Sequence, residues 1–240
     1  MVDFIIPLGG GSKSDNDELR LLLRSVEKHG RGIRNVIVVT SLPPEWLRNV
    51  RIVPQGDLLP HNKDGNIIRK ILTALTREDV TPEFVWGSDD CLLLEDFDFE
   101  NLPPIFNSRC KADFPEDGSI WQRRVRRTFE FLEARGINLS HNFESHCPHR
   151  YPARKLLRAM RNIDYQDGIG YSINTLFSGL LGITEGFPQK LFKITCETEE
   201  AAKDAKLSKM LCGFNDRAFL GSLRERLFKL YPEKSKYEKE

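Results

Sequence analysis

An α/β fold with a mostly parallel central sheet flanked by helices, followed by a helix-rich C-terminal part, is predicted by three features of this 240-residue chain. Short apolar runs without polar alternation, "VDFIIPL" (2–8), "NVIVVT" (35–40) and "EFVW" (83–86), read as strands buried on both faces. Segments with helical spacing lie between them, giving β-α-β order. Turn-forming residues, "GGGS" after the first run and "SLPPEW" after the second, separate the elements.

In order, the first strand ends at the glycine run and a helix starts from about Asp15. Leu19, Leu22, Leu23 and Val26 recur at i, i+3, i+4 and i+7, acidic residues fill the first turn, and Gly30 offers a C-cap. A second strand at 35–40 and a third at 50–54 follow. Ile67, Ile68, Ile71, Leu72 and Leu75 give "DGNIIRKILTAL" (64–75) helical spacing, and that helix feeds "EFVW". Beyond lie a proline-containing loop (97–118), a helix from Ser119 to Gly136, a histidine-rich loop (137–150) and helical stretches near 152–162, 170–182, 198–210 and 216–230. The ending "PEKSKYEKE" is charged and is expected to fray.

Length and 40% hydrophobic content suit a single domain spanning 1–240. Lys+Arg 36 against Asp+Glu 35 leaves a net charge of +1, which disfavours nucleic acid as a partner and requires any anion site to be local. Five scattered cysteines (Cys91, Cys110, Cys147, Cys196, Cys212) with no CxxC pair argue against a disulfide framework and for a reducing, cytoplasmic setting. The expectation is a chain without a leader or transmembrane segment, working in the cytoplasm or at the inner face of a membrane.

"WGSDDCLLL" places Asp89 and Asp90 side by side after a strand, where ligands of open α/β sheets bind. Two like charges about 4 Å apart repel by roughly 4 kcal/mol at a near-surface dielectric of about 20, so the pair calls for a compensating cation or hydrogen bonds. Oxygen ligands suit Mg²⁺ or Mn²⁺. The bland alternative is a solvated turn. Gly9, Gly10, Gly11 and Ser12, ahead of a helix, present backbone N–H groups to a phosphate or simply form a loop; the pattern is neither GxGxxG nor GxxxxGKS. In "SHNFESHCPHRYP", His146 or His149 suits a general base or a nitrogen ligand to the same ion, because imidazole is mostly neutral at pH 7. Zinc fits the spacings of His141, Glu144, His146, Cys147 and His149 poorly. Arg123, Arg124, Arg126 and Arg127 on the 119–136 helix read as a solvated face, with a diphosphate or nucleic-acid contact as the sharper alternative.

Five stretches, "SDNDELRLLLRSVEKH", "IRNVIVVTSLPPEWL", "FVWGSDDCLLL", "ESHCPHRYPARKLLRAM" and "LCGFNDRAFLGSLRERLFKLYPEKSKYE", together resemble the ordered blocks of the Stealth proteins. That family transfers hexose-1-phosphate from nucleotide-sugars to glycans, and its core is similar to the GT-A fold of glycosyltransferases. The resemblance implies a GT-A-like fold, metal and nucleotide-diphosphate binding at Ser88, Asp89 and Asp90, a catalytic histidine at His146, its HxPH partner at His149, and site residues at Asn215 and Asp216. Two departures stand out: "IIPLGGGSK" replaces the family's opening "YTWVDGSDP", and the arginine expected after the HxPH helix has no counterpart in "YQDGIGYSINTLF". Proteins beginning "LGxGSK…NxELRxSLRS", associated with bacterial surface-glycan loci and phages, look like glycosyltransferases.

The resulting expectation is a divalent-cation-dependent transferase with a nucleotide-binding part over about 1–96 and an acceptor-side helical part over about 97–240. It takes a nucleotide-sugar donor, UDP-sugars first, and a glycan or lipid-linked glycan acceptor, as in surface polysaccharide biosynthesis. Asp89, Asp90 and His149 are the expected metal ligands. Gly9, Gly10, Gly11, Ser12, Lys13, Asp57, Lys63, Ser88 and Asp89 line the nucleotide site, and His146, Asp90 and Asp216 are the catalytic candidates. Alternatives are hexose-1-phosphate transfer, a non-catalytic glycan- or nucleotide-binding module, and a nucleic-acid-modifying transferase.

Overall fold

The computed structural model describes residues 1–107 and 114–239, so Cys110 and the centre of the 97–118 loop lie outside the described residues. The first half runs β1 (Val2–Pro7), α1 (Asp17–His29), β2 (Gly30–Arg31), β3 (Ile33–Val39), β4 (Arg51–Val53), α2 (Lys63–Arg77) and β5 (Glu83–Trp86). Next come β6 (Cys91–Leu93), β7 (Phe97–Asp98), β8 (Ile105–Phe106), α3 (Ile120–Glu133), β9 (His149–Pro152), α4 (Ala153–Met160) and α5 (Ile173–Leu181). The last part holds β10 (Phe187–Pro188), β11 (Lys193–Cys196), α6 (Glu199–Asp204), β12 (Leu211–Phe214), α7 (Asp216–Ala218) and α8 (Arg224–Leu230).

The central sheet has the order β4-β3-β1-β5-β9, and all its pairings are parallel except that of β9 with β5. Because successive side chains of a strand face opposite ways, β1 divides its residues between two cores. Phe4 and Ile6 join Val36, Val38 and Val85 in a cluster with Leu19, Leu22, Leu23 and Val26 of α1. Ile5 joins Ile37, Val39, Phe84 and Trp86 against Ile68 and Ile71 of α2, Leu156 of α4, and Leu176 and Phe177 of α5. The sheet is thus covered on both faces, as its uninterrupted apolar strands require.

Gly30 closes α1, but with φ −72° rather than in the left-handed conformation of a glycine cap. A side chain there would meet the Val26 carbonyl oxygen at 2.6 Å, so close approach, not backbone freedom, selects glycine.

Several expectations need correction. The helix expected over 198–210 occupies only Glu199–Asp204, and the chain then enters a second sheet, β11-β12-β6. In it β12 is parallel to β11 and antiparallel to β6. The expected 216–230 helix is broken by a π-turn at Phe219–Leu223, where Gly221 takes non-helical angles. The histidine-rich loop ends in β9, which pairs Trp86 with His149. The C-terminal segment does not fray: Glu238 is 1% exposed and accepts Arg24 Nε and Nη2, each at 2.8 Å, while Tyr237 joins the core under α1. Among the described residues no helix is long and apolar enough to cross a membrane.

Candidate active site

β1, β3 and β5 run parallel, so their carboxyl ends, Pro7, Val39 and Trp86, open on one edge of the sheet. The chain leaves β5 through Gly87, whose N–H still bonds the Ile5 carbonyl. A Cβ at Gly87 would stand 3.1 Å from the Phe4 ring, so a side chain there would press on that ring where the exit hugs the sheet. Ser88, Asp89 and Asp90 follow, all partly exposed.

Ser88 Oγ donates to Asp90 Oδ1 over 2.5 Å, and Asp90 faces a cavity of about 590 Å³. Asp89 is hemmed in by protein. Burial first, then the neighbouring Asp90 charge and Glu18, push its carboxyl up to about 7, with Lys63 opposing. No lysine, arginine or histidine among the described residues forms an ion pair with Asp89 or Asp90. The pair is therefore short of positive charge, and its all-oxygen donor set fits a hard divalent ion. No group of three or more His, Cys, Asp or Glu side chains is arranged as a metal cage among the described residues. The donor set thus fits an ion that takes its remaining ligands from water or phosphate, as Mg²⁺ does.

The same cavity is lined by Glu144, Ser145 and His146 from the segment before β9, by Lys193 and Thr195 of β11, and by Gly213, Phe214 and Asn215 at the end of β12. His146 is exposed and holds φ +51°, a left-handed conformation rare outside glycine, between buried Ser145 and Cys147. Glu144 is 6% exposed, and its Oε2 accepts the Ser172 hydroxyl at 2.7 Å and the Asn174 N–H at 3.2 Å. Asn215 caps α7 through Oδ1 and donates from Nδ2 to the Glu197 carbonyl.

His149 sits apart from the cavity wall. It is 2% exposed, stacks on Tyr151 and meets the Ser145 hydroxyl at 2.8 Å from Nε2. Burial, with Lys193 and His146 nearby, lowers its imidazole to about 3, so it is neutral near pH 7.

The glycine loop follows β1, the neighbour of β5 in the sheet. Gly9, Gly10 and Gly11 are exposed, and Gly9 approaches Asp57 Oδ2, 3.7 Å from where a Cβ would stand. Asp57 is held by Lys70 Nζ at 2.6 Å, and the same ammonium donates to the Leu8 carbonyl. Ser12 and Ser14 hydroxyls donate to Glu18 Oε2, fastening the loop to the first turn of α1. Lys13 meets Asp216 at 3.4 Å, joining the loop to the start of α7. Lys63 opens α2, where Asp64 sits 2.9 Å from Arg124. Burial pushes the Asp64 carboxyl up to about 6 although Arg124 opposes this.

Asp90, His146 and Asn215 therefore share one cavity, and Asp216 is tied to the glycine loop through Lys13. The arginine helix is not a solvated face at Arg124, which is 7% exposed and also donates to the Ile169 carbonyl. Arg126 pairs with Glu116 and Glu130, and Arg127 with Asp167. Lys193 carries no signal in the sequence, because it opens a four-residue strand that composition does not mark.

No family model and no curated protein matches the chain. Two solved structures of HddC from Yersinia pseudotuberculosis are similar over 40% of this chain and 51% of theirs, each with a TM-score of 0.27. Identity is 15% for the first and 18% for the second, which is complexed with GMP-PN. The match thus spans about half the length of those chains.

Proposed function

We propose that this chain is a nucleotide-sugar-dependent glycosyltransferase acting on a hydroxyl of a glycan or lipid-linked glycan. The observation that supports it is the convergence of Asp90, His146 and Asn215 on one cavity beyond the carboxyl ends of the parallel strands. Its volume suits a ligand of nucleotide-sugar size. The Stealth-like blocks and the GT-A-like core are part of the same reading.

In this reading Gly9, Gly10, Gly11, Ser12 and Asp57 line the nucleoside, with Lys13 and Lys63 near its phosphates. Asp89 and Asp90 would hold Mn²⁺ or Mg²⁺. That ion, when bound, neutralises charge developing on the departing nucleotide. His146 takes the proton of the acceptor hydroxyl as its oxygen bonds the anomeric carbon. The bond from that carbon to the donor's phosphate oxygen breaks, and the nucleoside diphosphate leaves with the electron pair. The left-handed backbone at His146 fits a residue held for chemistry rather than for packing. Asp216 holds Lys13 toward the donor, and His149, neutral and bonded to Ser145, steadies the segment that carries His146.

The test is incubation with a panel of nucleotide-sugars and Mn²⁺. Loss of one donor with appearance of its nucleoside diphosphate supports the proposal. A nucleoside monophosphate would show attack at phosphorus and hexose-1-phosphate transfer. Binding without turnover would make the chain a binding module.

A further inference from the structure

Lys193 is a buried cation that has no carboxylate partner among the described residues. It is 9% exposed, and its Nζ donates to the Ser145 carbonyl at 2.5 Å. An ammonium carries three donors, and among the described residues no acidic side chain forms an ion pair with this one. A buried charge of this kind is costly unless it is paired.

The fold gives Lys193 room to reach inward. It opens β11, and its side chain runs past Gly213 of the neighbouring β12. A Cβ at Gly213 would stand 3.2 Å from Lys193 Cδ and 3.3 Å from Nζ, so glycine leaves the path of the ammonium open. Lys193 and Gly213 both line the cavity that holds Asp90 and His146. The charge also reaches Cys91, Cys147 and His149, opposing the effect of burial on both thiols and adding to it on the imidazole.

We infer that Lys193 is a phosphate-binding residue of this cavity, its ammonium held by the Ser145 carbonyl and directed at the pyrophosphate group of the ligand. This rests on the proposed function and adds to it a fixed cation lining the same cavity as Asp90. An ammonium hydrogen-bonds phosphate oxygens as a compact point charge, which suits a group whose charge shifts to the leaving oxygen as the bond breaks.

The experiment titrates inorganic pyrophosphate, in the presence of Mg²⁺, into the full chain and its Lys193→Met variant by calorimetry. Thermal unfolding monitors both proteins. Wild type should bind, and the variant should bind about 10- to 100-fold more weakly, the range for a charge-assisted hydrogen bond. Lys193→Gln, whose amide still donates to Ser145, replaces Met should that variant not fold, and should show the same loss. Equal affinity in a folded variant, or no binding by wild type, overturns the inference. Donor turnover by wild type with unchanged pyrophosphate affinity in the variant removes Lys193 but leaves the transferase reading. Lys193-dependent binding without turnover of any donor does the reverse.

Discussion

Ser88 Oγ donates to Asp90 Oδ1 over 2.5 Å, so the residue that leads into the Asp89–Asp90 turn fixes the carboxylate that faces the cavity. One oxygen is oriented by the protein, and in the proposed reading the other takes the ligand. Asp90→Asn should keep the fold and lower donor turnover at least about 100-fold, the scale of losing one transition-state electrostatic contact. Ser88→Ala should cost only about tenfold, because it removes orientation and not charge. Initial rates at saturating donor, with circular dichroism on each variant, check both; an Asp90→Asn enzyme retaining most activity removes that residue from the site.

His146→Gln should lower turnover by about 10² to 10⁴, the usual contribution of a general base, with little change in donor affinity. Equal losses in turnover and in donor binding would place His146 on the donor side. Single-turnover rates and donor titration separate the two outcomes.

Arg124 and Asp64 form a pair across 2.9 Å with both side chains largely buried. Removing one member of such a pair leaves the other uncompensated. Arg124→Met should therefore cost about 3 kcal/mol of stability, and the double variant with Asp64→Asn should recover most of it. Urea denaturation of the two single variants and the double tests the cycle. Additive losses would show that the groups do not interact.

Acid should loosen the C-terminal segment. At Glu238 burial acts to raise the carboxyl, but hydrogen bonds from Arg24 and Ser235 outweigh it and hold the group below its ordinary 4.5. A depressed folded value means that the unfolded chain binds the proton first. Stability from this group is present above about pH 4.5 and is lost as the pH falls through the folded value. Glu238→Gln should remove that part of the acid dependence and lower stability at neutral pH. Unfolding curves from pH 3 to 7 on both proteins give the comparison.

The first half of the fold was legible because its cores are built from local periodicity. β1, β3 and β5 each hold an unbroken apolar run, "FIIP", "VIVV" and "FVW", and α1 and α2 carry their stripes at helical spacing. The second sheet was not, because β11 and β12 have four residues each, and neither "KITC" nor "LCGF" shows a period. The burial of Glu238 was hidden for another reason: its partner Arg24 is 214 positions away, and local charge density reads as a solvated tail. Likewise, helical spacing cannot tell Arg124, which meets Asp64, from the arginines beside it.

The candidate site divides along the same line. Asp89 and Asp90 stand out because two adjacent acids after a strand conflict with their apolar surroundings, and His146 because it lies in a dense histidine loop. The Lys13–Asp216 contact and the Lys193 ammonium arise from tertiary placement, so neither leaves a mark in the sequence.

The most direct measurement is a crystal structure of the chain soaked with its nucleotide-sugar and Mn²⁺. The account predicts density for an ion and a diphosphate against Asp89 and Asp90, with the sugar between them and His146. A donor bound elsewhere, with both carboxylates facing only solvent, would contradict it.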